Sequence, residues 1–378
     1  PELCSELPST KTGKLEFTEE VISKRVETYP WLSDLLSYRG IAKALNFLLS
    51  LLKYSIESRI HPGVLLTGTV TGRLSCINPA VQTLPSELSG INIKQCLLPE
   101  PGQVLIQLDL KGAETRMLAN LSKDKDLIAA QKEGMDLHAL TASEFSGESY
   151  DAILQAHSKD SSSRSAEEKG LNDLRSSAKA VNFGIAYGIT EYGLSRQLGC
   201  SLSEARSMID GYYKRYPGVR KYFDKVKTRL YKHGFVENFI GRRRHLSAIM
   251  HAPNFWAEKM VRQACNFMIQ SSASDFFQHA VAGLLGVPGI TLHMTVHDSV
   301  VFSYDETQLP LTDLMLLLDD VFIHKPKLLW PELFEIEMKF DLEAGLTYGM
   351  GHSLTPEVVR GLQKKGLTLL KSLTLKER

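Results

Sequence analysis

The sequence has few of the features that mark disulfide-stabilised, zinc-binding or membrane proteins. Its 378 residues contain five cysteines, which stand singly and form no Cys-x-x-Cys pair: Cys4, Cys76, Cys96, Cys200 and Cys265. This odd, scattered set argues against a disulfide framework and against a zinc site. No apolar run approaches the roughly 18 to 20 residues that span a bilayer, and the start at Pro1 has no signal-peptide features. We therefore expect a soluble intracellular protein, and a first residue other than Met suggests a fragment or a processed chain.

The sequence also has little net charge, only +1, because 44 Lys and Arg nearly balance 43 Asp and Glu. With 43% hydrophobic and 23% charged residues, the composition is that of a globular protein with two or three subdomains, which excludes a disordered chain. The charge is nevertheless unevenly distributed, since residues 214–245 hold eleven Lys or Arg against Asp224 and Glu237. Clustered cations of this kind suit a phosphate backbone, and a solvated helix face is the alternative interpretation.

Hydrophobic periodicity and turn residues predict the order of secondary-structure elements. A helix should begin after Thr18, continue through 31–52 and end at 61–63. A strand over 104–108 leads through Asp109 into a helix over 114–121, and a flexible loop at 158–169 precedes a helix over 171–189. A helix over 254–285 is followed by a hairpin with strands 290–296 and 300–304, whose tip is the sequence His-Asp-Ser. A helix near 309–322, a strand over 333–341 and a basic amphipathic tail complete the chain.

Two acids stand out because each follows or interrupts an apolar strand: Asp109 and Asp298. A single Asp in such a position more often caps a helix or pairs with a base. Two carboxylates at the ends of adjacent antiparallel strands would repel each other, and a pair of divalent cations relieves that repulsion. Carboxylate oxygens suit Mg²⁺, and two such ions activate an attacking oxygen and stabilise a leaving one. The two acids therefore predict a two-metal site.

The predicted helix over 171–189 carries the matching cations. Arg175, Lys179, Phe183 and Tyr187 recur every four residues and therefore share one face. Arg and Lys can clamp a triphosphate, and Lys179 can donate a proton or a positive charge to the departing pyrophosphate. Phe183 offers a stacking surface for a base or a sugar. An amphipathic surface helix with an aromatic stripe is the alternative interpretation.

Four sequence segments allow a more specific interpretation of these candidate site residues. Residues 108–116 read LDLKGAETR, 175–188 read RSSAKAVNFGIAYG and 295–299 read TVHDS, while 69–75 read TVTGRLS, with Pro79 and Gln82 after them. The first three resemble motifs A, B and C of the family A, or DNA polymerase I-type, DNA polymerases, and the fourth is similar to their primer- and template-binding segment. The motifs stand in the family's order, and the similarity runs from about residue 11 to about residue 341.

The resemblance implies a role for each matching residue. Asp109, Asp298 and the main-chain carbonyl of Leu110 would hold two Mg²⁺ ions, for which Mn²⁺ could substitute. The incoming deoxynucleotide would be bound by Arg175, Lys179 and His138 at the triphosphate, by Phe183 as a stacking surface, by Tyr187 near the templating base and by Glu114 at the sugar. Primer and template would be contacted by Arg73, Gln82, Arg262, Asn266, Gln270 and His297.

Glu114 separates the two enzyme classes that have similar motifs. In the family, a Glu five residues after the metal-binding Asp excludes a ribose 2′-hydroxyl, whereas single-subunit RNA polymerases have a small residue there. Ser299 favours the RNA polymerases, because family A usually has Glu after His-Asp, and the sequence NFG at 182–184 favours DNA. Further departures from the family pattern affect the expected nucleotide selection and rate rather than the reaction: Leu110, Lys111, Gly112 and Ser176. Phe183 in place of Tyr implies discrimination against dideoxynucleotides.

The resemblance implies an α+β right-hand polymerase with an antiparallel-sheet palm, helical fingers and a reduced helical thumb. We expect residues 1–60 to form a partial thumb, 61–122 the first part of the palm, 123–245 the fingers, and 246–378 the rest of the palm with a C-terminal tail. The expected reaction is template-directed addition of dNTPs to a primer 3′-hydroxyl with release of pyrophosphate. Primer-template DNA and dNTPs are the expected partners.

In the family, an exonuclease-type domain and the first half of the thumb precede the segment that resembles residues 11–14, KTGK. Because only about ten residues precede it here, we expect no 3′→5′ exonuclease in this chain, and a separate chain could supply the missing part. Two other functions stay open: a catalytically silent, polymerase-like DNA-binding module and a single-subunit RNA polymerase.

Overall fold

The structure is a computed structural model that describes residues 3, 7–9, 13–160 and 163–376. Its strands in chain order are β1 Ser55–Ile56, β2 Arg59–Ile60, β3 Gly63–Leu65, β4 Ser75–Ile77, β5 Val104–Lys111, β6 Phe235–Glu237, β7 Arg243–His245, β8 Ile290–Val296, β9 Ser299–Tyr304, β10 Lys339–Gly345 and β11 His352–Ser353. Its helices are α1 Glu19–Ser23, α2 Trp31–Lys53, α3 Ala113–Ser122, α4 Lys125–Lys132, α5 Leu137–Ser146, α6 Tyr150–Ser158, α7 Ala166–Ala186, α8 Glu191–Leu198, α9 Leu202–Arg215, α10 Pro217–His233, α11 Asn254–Ala282, α12 Leu311–Asp319, α13 Lys325–Leu329, α14 Pro356–Lys365 and α15 Leu369–Lys376.

A five-stranded antiparallel sheet in the order β11-β10-β5-β9-β8 forms the centre of the structure. β5 is its middle strand and β9 is buried along its whole length, which explains why both sequences are so apolar. In the register of the sheet, Asp109 of β5 lies opposite Ser299 of β9 and Asp341 of β10. The sheet therefore fixes Asp109 between two neighbouring strands.

One face of this sheet packs against α11 and α12. Ile106 and Leu108 of β5 share a buried apolar cluster with Phe276 and Phe277 of α11 and with Leu314 of α12. Burial of each such side chain is worth about 1.5–3 kcal/mol, so this cluster holds β5 firmly in place. The C-terminal helices α14 and α15 contribute side chains to the same cluster. The basic tail predicted from sequence is therefore amphipathic, with its apolar side in the main core.

Helices α3, α4, α7, α8, α9 and α10 contribute to a second core beside the sheet. Val181 and Ile185 of α7 pack there with Leu194 of α8 and Tyr212 of α9. α7 begins with a capping box, in which the Ser165 side chain accepts from the N–H of residue 168 and the Glu168 side chain accepts from the N–H of residue 165. Packing and capping together fix where α7 starts and which of its side chains stay accessible.

Helix α2 has an exposed apolar surface that includes Trp31, Tyr38 and Ile41. By length and composition alone it could cross a membrane, since its most apolar 18-residue stretch has a mean hydropathy of 1.2, and 11% of that stretch is buried. It contains no uninterrupted apolar run, because Arg39 and Lys43 lie within it. Length and composition are a weak indication of a span, so the intracellular localisation stays a prediction.

The α+β architecture and the order of elements agree with the sequence-based predictions, but several boundaries were wrong. β5 continues past Asp109 to Lys111, because the Leu110 side chain is buried; Asp109 therefore lies inside a strand and not at its junction with a helix. α2 ends at Lys53 rather than near residue 61, and the β1–β2 hairpin follows it. A turn at 24–30 separates α1 from α2.

Two other predicted elements are displaced. α7 begins at residue 166, inside the predicted loop, and ends at residue 186. β10 starts at residue 339, six residues after the predicted start at 333, because the buried alternation of Phe334, Ile336 and Met338 occurs in irregular chain. The four described cysteines are free thiols. Cys4, Lys11, Thr12 and loop residues 161 and 162 lie outside the described residues.

Candidate active site

Two strands and a turn place Asp109 and Asp298 side by side. Asp109 belongs to β5, and Asp298 lies in the two-residue turn between β8 and β9. The Leu110 N–H donates to the main-chain carbonyl of Asp298 at 3.1 Å, which ties the turn to β5 one residue beyond Asp109. His297 has a φ of 54°, the left-handed conformation that tight hairpin turns require. The geometry of the hairpin thus sets the position of the second acid.

The acids at this end of the sheet repel one another. Asp109 is open to solvent on one side, yet burial of its carboxyl raises its pKa to about 6, and repulsion by Asp298, Asp341 and Glu343 adds to the effect. His297 opposes it with a smaller attraction. A pKa raised by neighbouring acids means that bound positive charge would stabilise the site.

Arg73 supplies one positive charge to these acids. Its Nη2 lies 2.8 and 2.9 Å from the two carboxylate oxygens of Asp298 and 3.1 Å from Oε1 of Glu114. The Tyr187 hydroxyl donates to the same Glu114 oxygen at 2.6 Å. A continuous set of contacts therefore runs from Asp298 through Arg73 and Glu114 to Tyr187 at the end of α7. These contacts join the segments that resemble motifs A, B and C to the TVTGRLS segment.

The surroundings of Arg73 and Tyr187 set the protonation states of these two side chains. Burial lowers the pKa of Arg73, but attraction by Asp298 and Glu114 outweighs it, and the pKa is raised overall. Burial and the hydrogen bond to Glu114 raise the pKa of Tyr187 to about 12. At neutral pH Arg73 is therefore a cation and Tyr187 a hydrogen-bond donor. The buried Nε of Arg73 has no partner among the described residues, which leaves one guanidinium donor unused.

A second arginine fixes the loop that carries Arg73. Arg242 contacts the buried carboxylate of Asp275 at 2.7 Å, and its guanidinium lies against Gly72. A Cβ on Gly72, whose φ is 84°, would come within 2.7 Å of that guanidinium, so glycine is required there. Asn238 donates to Asp275 at 2.6 Å and completes the support.

These contacts change the interpretation of the basic segment 214–245. Arg242 has a structural partner, and Arg229 and Arg243 both contact Glu237. The excess of positive charge is therefore partly neutralised within the protein. Lys221 and Lys225 on α10 are exposed and make no ion pair with any residue that the structure describes, so they are available to bind phosphates.

Helix α7 meets α5 at the other side of the site. Asp136 caps α5 by accepting from the N–H groups of residues 138 and 139, both at 2.9 Å, and its second oxygen accepts from Arg175 Nη2 at 2.6 Å and from Nε at 3.1 Å. Arg175 is thus held in place by an acid that sequence reasoning did not single out. Lys179, one turn along α7, is exposed and forms no ion pair within the described chain. Of the two predicted phosphate ligands, Arg175 is therefore paired with an acid, whereas Lys179 is not paired with any described residue.

His138 lies against the same helix. Its ring centroid is 5.6 Å from that of Phe183, and its Nδ1 is 2.9 Å from Nδ2 of Asn182. Burial lowers the pKa of His138 to about 4, with the positive charges of Arg175 and Lys179 also lowering it and Asp136 opposing. The imidazole is therefore neutral at physiological pH. The predicted nucleotide-binding residues of α5 and α7 form one surface.

Apart from Arg73, the residues predicted to contact primer and template lie outside this network. Gln82 donates to the Thr295 carbonyl at 2.8 Å, beside the turn that carries Asp298. Gly188, just after α7, packs against Arg262 of α11, which a Cβ at Gly188 would approach to 3.1 Å. Asn266 and Gln270 follow along α11 and are half-buried, and Asn266 Oδ1 is buried without a partner among the described residues.

The structure adds detail at several of the predicted positions. Tyr187 is the residue that ends α7, and its N–H still donates to the Phe183 carbonyl at 3.0 Å, the hydrogen bond of a regular helix. Arg73, predicted as a DNA contact, is bound to Asp298 and Glu114. Ser299 is buried and donates to the Val296 carbonyl at 2.9 Å, which closes the turn. His297 is exposed at the tip.

Comparison with known proteins gives a consistent assignment. A sequence model of the family described as DNA polymerase family A matches residues 3–348. DNA polymerase I of Chloroflexus aurantiacus is 31% identical over 311 residues, which are 80% of this chain and 31% of that protein. DNA polymerase I of Streptococcus pneumoniae serotype 4 is 34% identical over 313 residues, 79% of this chain and 33% of that protein. The thermostable DNA polymerase I of Thermus aquaticus is 30% identical over 298 residues, 77% of this chain and 34% of that protein.

A solved structure is also similar. The POL domain of Pol1 from M. smegmatis, in complex with DNA primer-template and dNTP, superposes with a TM-score of 0.73 and 27% sequence identity. The superposition covers 91% of this chain and 59% of that one. The chain spans about a third of the length of the curated relatives it matches.

Proposed function

Since the chain belongs to DNA polymerase family A, we propose that it adds deoxynucleotides to the 3′-hydroxyl of a primer as directed by a template strand. The observation that carries the proposal is the set of contacts from Tyr187 through Glu114 and Arg73 to Asp298. These contacts join the end of the cationic helix α7 to Asp298, and polymerisation of a nucleoside triphosphate would require such a helix beside the acids of the sheet. The relative in complex with primer-template and dNTP supports the same partners for this chain.

The donor chemistry of the site fits Mg²⁺, or Mn²⁺ as a substitute. No group of three or more His, Cys, Asp or Glu side chains that could hold a metal ion occurs in the described part of the chain. Two carboxylates are nevertheless enough, because Mg²⁺ commonly takes one or two protein carboxylates and completes its shell with water and substrate phosphates. Asp109, Asp298 and the main-chain carbonyl of Leu110 would hold two ions. When bound, these ions lower the pKa of the primer hydroxyl and offset the charge of the triphosphate.

The side chains of α5 and α7 bind the triphosphate in this proposal. Arg175, held by Asp136, offers a fixed guanidinium, and His138 offers a neutral ring beside it. Lys179 is exposed and free of ion pairs with described residues, so it can follow the pyrophosphate as it departs and donate a proton to it. Phe183, packed against His138, provides the stacking surface for the nucleotide.

Glu114 selects the sugar in this proposal. The side chain is buried and held from two sides, by Arg73 and by Tyr187, so it cannot move aside cheaply. A rigid wall beside C2′ of the nucleotide would exclude a ribose hydroxyl and accept deoxyribose. This favours DNA synthesis over synthesis by an RNA-polymerase-like enzyme, despite the His-Asp-Ser sequence at 297–299.

Primer-template DNA would lie along the sheet and α11. Gln82, Arg262, Asn266 and Gln270 would offer their polar side chains to this DNA. His297 at the exposed turn is close to where the primer end must reach the acids. The exposed lysines of α10 add a sequence-independent attraction to phosphates.

We assign the subdomains as expected from the resemblance. The central sheet and its core come from 61–122 and 246–378, which makes these ranges the palm. Residues 123–245 form the helical fingers, and residues up to 60 contribute α1 and α2 of a partial thumb. Rotation of α7 relative to the sheet would close the site on a correct base pair, which provides selection by induced fit.

Primer extension tests the function. The parent protein should extend a primer on a DNA template with dNTPs and Mg²⁺ and should strongly prefer dNTPs to ribonucleotides. Asp298→Ala should reduce the rate by about 10³-fold or more, since several kcal/mol of transition-state stabilisation are lost. Asp341→Ala is the matched control, because Asp341 lies opposite Asp109 but is exposed and pairs with Lys111. DNA binding without extension would indicate the catalytically silent module, and preference for ribonucleotides would indicate an RNA polymerase.

A further inference from the structure

Asn182 is a buried amide on α7 whose hydrogen bonds are all made within the protein. Its Nδ2 donates to the Leu137 carbonyl at 3.1 Å and lies 2.9 Å from Nδ1 of His138. Its Oδ1 accepts from the buried Thr141 hydroxyl at 2.9 Å. The residue therefore connects α7 with the first turn of α5, where His138 is located.

These partners determine which way the amide faces. A main-chain carbonyl oxygen can only accept a hydrogen bond, so the Asn182 atom that faces Leu137 must be the amino nitrogen. That nitrogen has two hydrogens, and the second faces His138 Nδ1. Nδ1 must then be the unprotonated nitrogen of the ring, and the single proton of the neutral imidazole must be on Nε2.

We propose that Asn182 is a positioning residue that holds His138 as the Nε2–H tautomer, so that the ring donates a hydrogen bond to a phosphate oxygen of the incoming nucleotide. The inference rests on the proposed function, because it concerns how the same site binds its triphosphate. With the opposite tautomer, a nitrogen lone pair would face the phosphate and repel it.

The surroundings of His138 keep its ring neutral, so the ring does not bind the phosphate as an imidazolium cation. The charged and titratable groups that face it are Asp136 at the cap of α5, His157 of α6, and Arg175 and Lys179 of α7. Burial and the cations favour the neutral ring, and Asp136 alone favours the imidazolium. Between pH 6 and 9 binding by His138 should therefore not depend on pH in the parent protein.

The ¹⁵N NMR spectrum of labelled parent protein measures the tautomer directly. We expect the His138 Nε2 resonance to have the shift of a protonated nitrogen and Nδ1 that of an unprotonated one. The reverse pattern, or an averaged pair of shifts, would overturn the proposal. This measurement needs neither DNA nor activity, so it distinguishes a failure of this inference from a failure of the proposed function.

Kinetics of Asn182→Ala, His138→Ala and the double variant test the functional consequence. Each single variant should raise the KM for dNTP by about 10-fold, the effect of losing one hydrogen bond to a charged group, and change kcat by less than about 3-fold. The double variant should be no worse than His138→Ala, because Asn182 acts through His138. Additive losses would mean that Asn182 has only a structural role.

Asn182→Asp gives an independent check if the alanine variant does not fold. A carboxylate facing Nδ1 would draw the proton to that nitrogen and raise the pKa of the ring. We expect the KM for dNTP to become pH-dependent, with weaker binding as pH rises from 6 to 8 and the imidazolium is lost. Thr141→Val, which removes the orienting hydroxyl but keeps the amide donor, should change the KM by less than about 3-fold. A flat pH profile for Asn182→Asp would contradict the proposal.

Discussion

Replacement of Arg73 by Ala should destabilise the metal-free protein and at the same time strengthen its binding of Mg²⁺. In the structure the Arg73 guanidinium is the cation that neutralises Asp298 and Glu114. A divalent ion at Asp298 has to share or displace this contact. Arg73 is therefore both a stabilising partner of the acids and a competitor of the metal.

The magnitude follows from the burial of the three side chains, which are 20% exposed for Arg73, 17% for Asp298 and 9% for Glu114. Breaking a fully buried ion pair costs roughly 3–5 kcal/mol, and an exposed pair contributes about 0–1 kcal/mol. For this mostly buried pair we expect the free energy of unfolding to fall by about 2 kcal/mol. Loss of the competing cation should raise the Mg²⁺ affinity by roughly 10-fold, which corresponds to about 1.4 kcal/mol.

The assay is urea denaturation at pH 7.5 over a series of Mg²⁺ concentrations. Without Mg²⁺, the Arg73→Ala variant should be less stable than the parent. Added Mg²⁺ should stabilise both proteins, and the variant should gain its stability at lower Mg²⁺ concentrations than the parent does. Arg59→Ala is the matched control, because the Arg59 side chain is 59% exposed in its pair with Glu100; it should leave both the stability and the Mg²⁺ affinity close to those of the parent. An Arg73→Ala protein with parental stability and parental Mg²⁺ affinity would refute the reasoning.

Three other perturbations have defined outcomes. Glu114→Gly should raise the ratio of ribonucleotide to deoxynucleotide incorporation in competition assays, and an unchanged ratio would count against a steric role. Asp109→Asn should stabilise the metal-free protein above pH 6. The raised pKa of Asp109 means that the folded state binds this proton more tightly than the unfolded state, so the stability of the parent falls as pH rises through about 6. An amide has no such proton, so the variant does not lose this stability. With allowance for solvent screening the gain is up to about 1 kcal/mol in thermal denaturation at pH 7.5, and a variant less stable than its parent there would contradict it. Lys221→Gln with Lys225→Gln should reduce the slope of log affinity for primer-template against log salt by about 1 to 2, whereas Lys364→Gln on α14 should not; equal slopes would remove α10 from the DNA surface.

The sequence predicted those elements whose formation depends on neighbouring residues, such as hydrophobic alternation, turn residues and helix caps. The hairpin at 290–304 was predicted from alternation and turn residues, and its turn carries Asp298. The start of α7 could have been found as well, because Ser165 and Glu168 have the spacing of a capping box. The strand predicted at 333–341 was misplaced because alternation reports burial, and Phe334, Ile336 and Met338 are buried without pairing to a strand.

Contacts between residues far apart in the chain could not be predicted from the sequence. Arg73 and Asp298 are 225 residues apart, and no local spacing indicates that they touch. The motif resemblance identified both residues but assigned Arg73 to DNA, since it describes positions and not the partners that a side chain takes in the protein alone. Asp136 and Asn182 were missed as supporting residues for the same reason. The expected absence of a 3′→5′ exonuclease stays a prediction.

Single-turnover incorporation of one dNTP by Asp109→Asn, Asp298→Asn and the double variant tests most directly whether the two acids form one catalytic unit. If the two acids form one unit, removal of either one already removes the function of both. Each single variant should therefore slow incorporation by about 10³-fold, and the double variant should be little slower than either. Losses that multiply in the double variant, or incorporation at the parental rate by either single variant, would contradict the account.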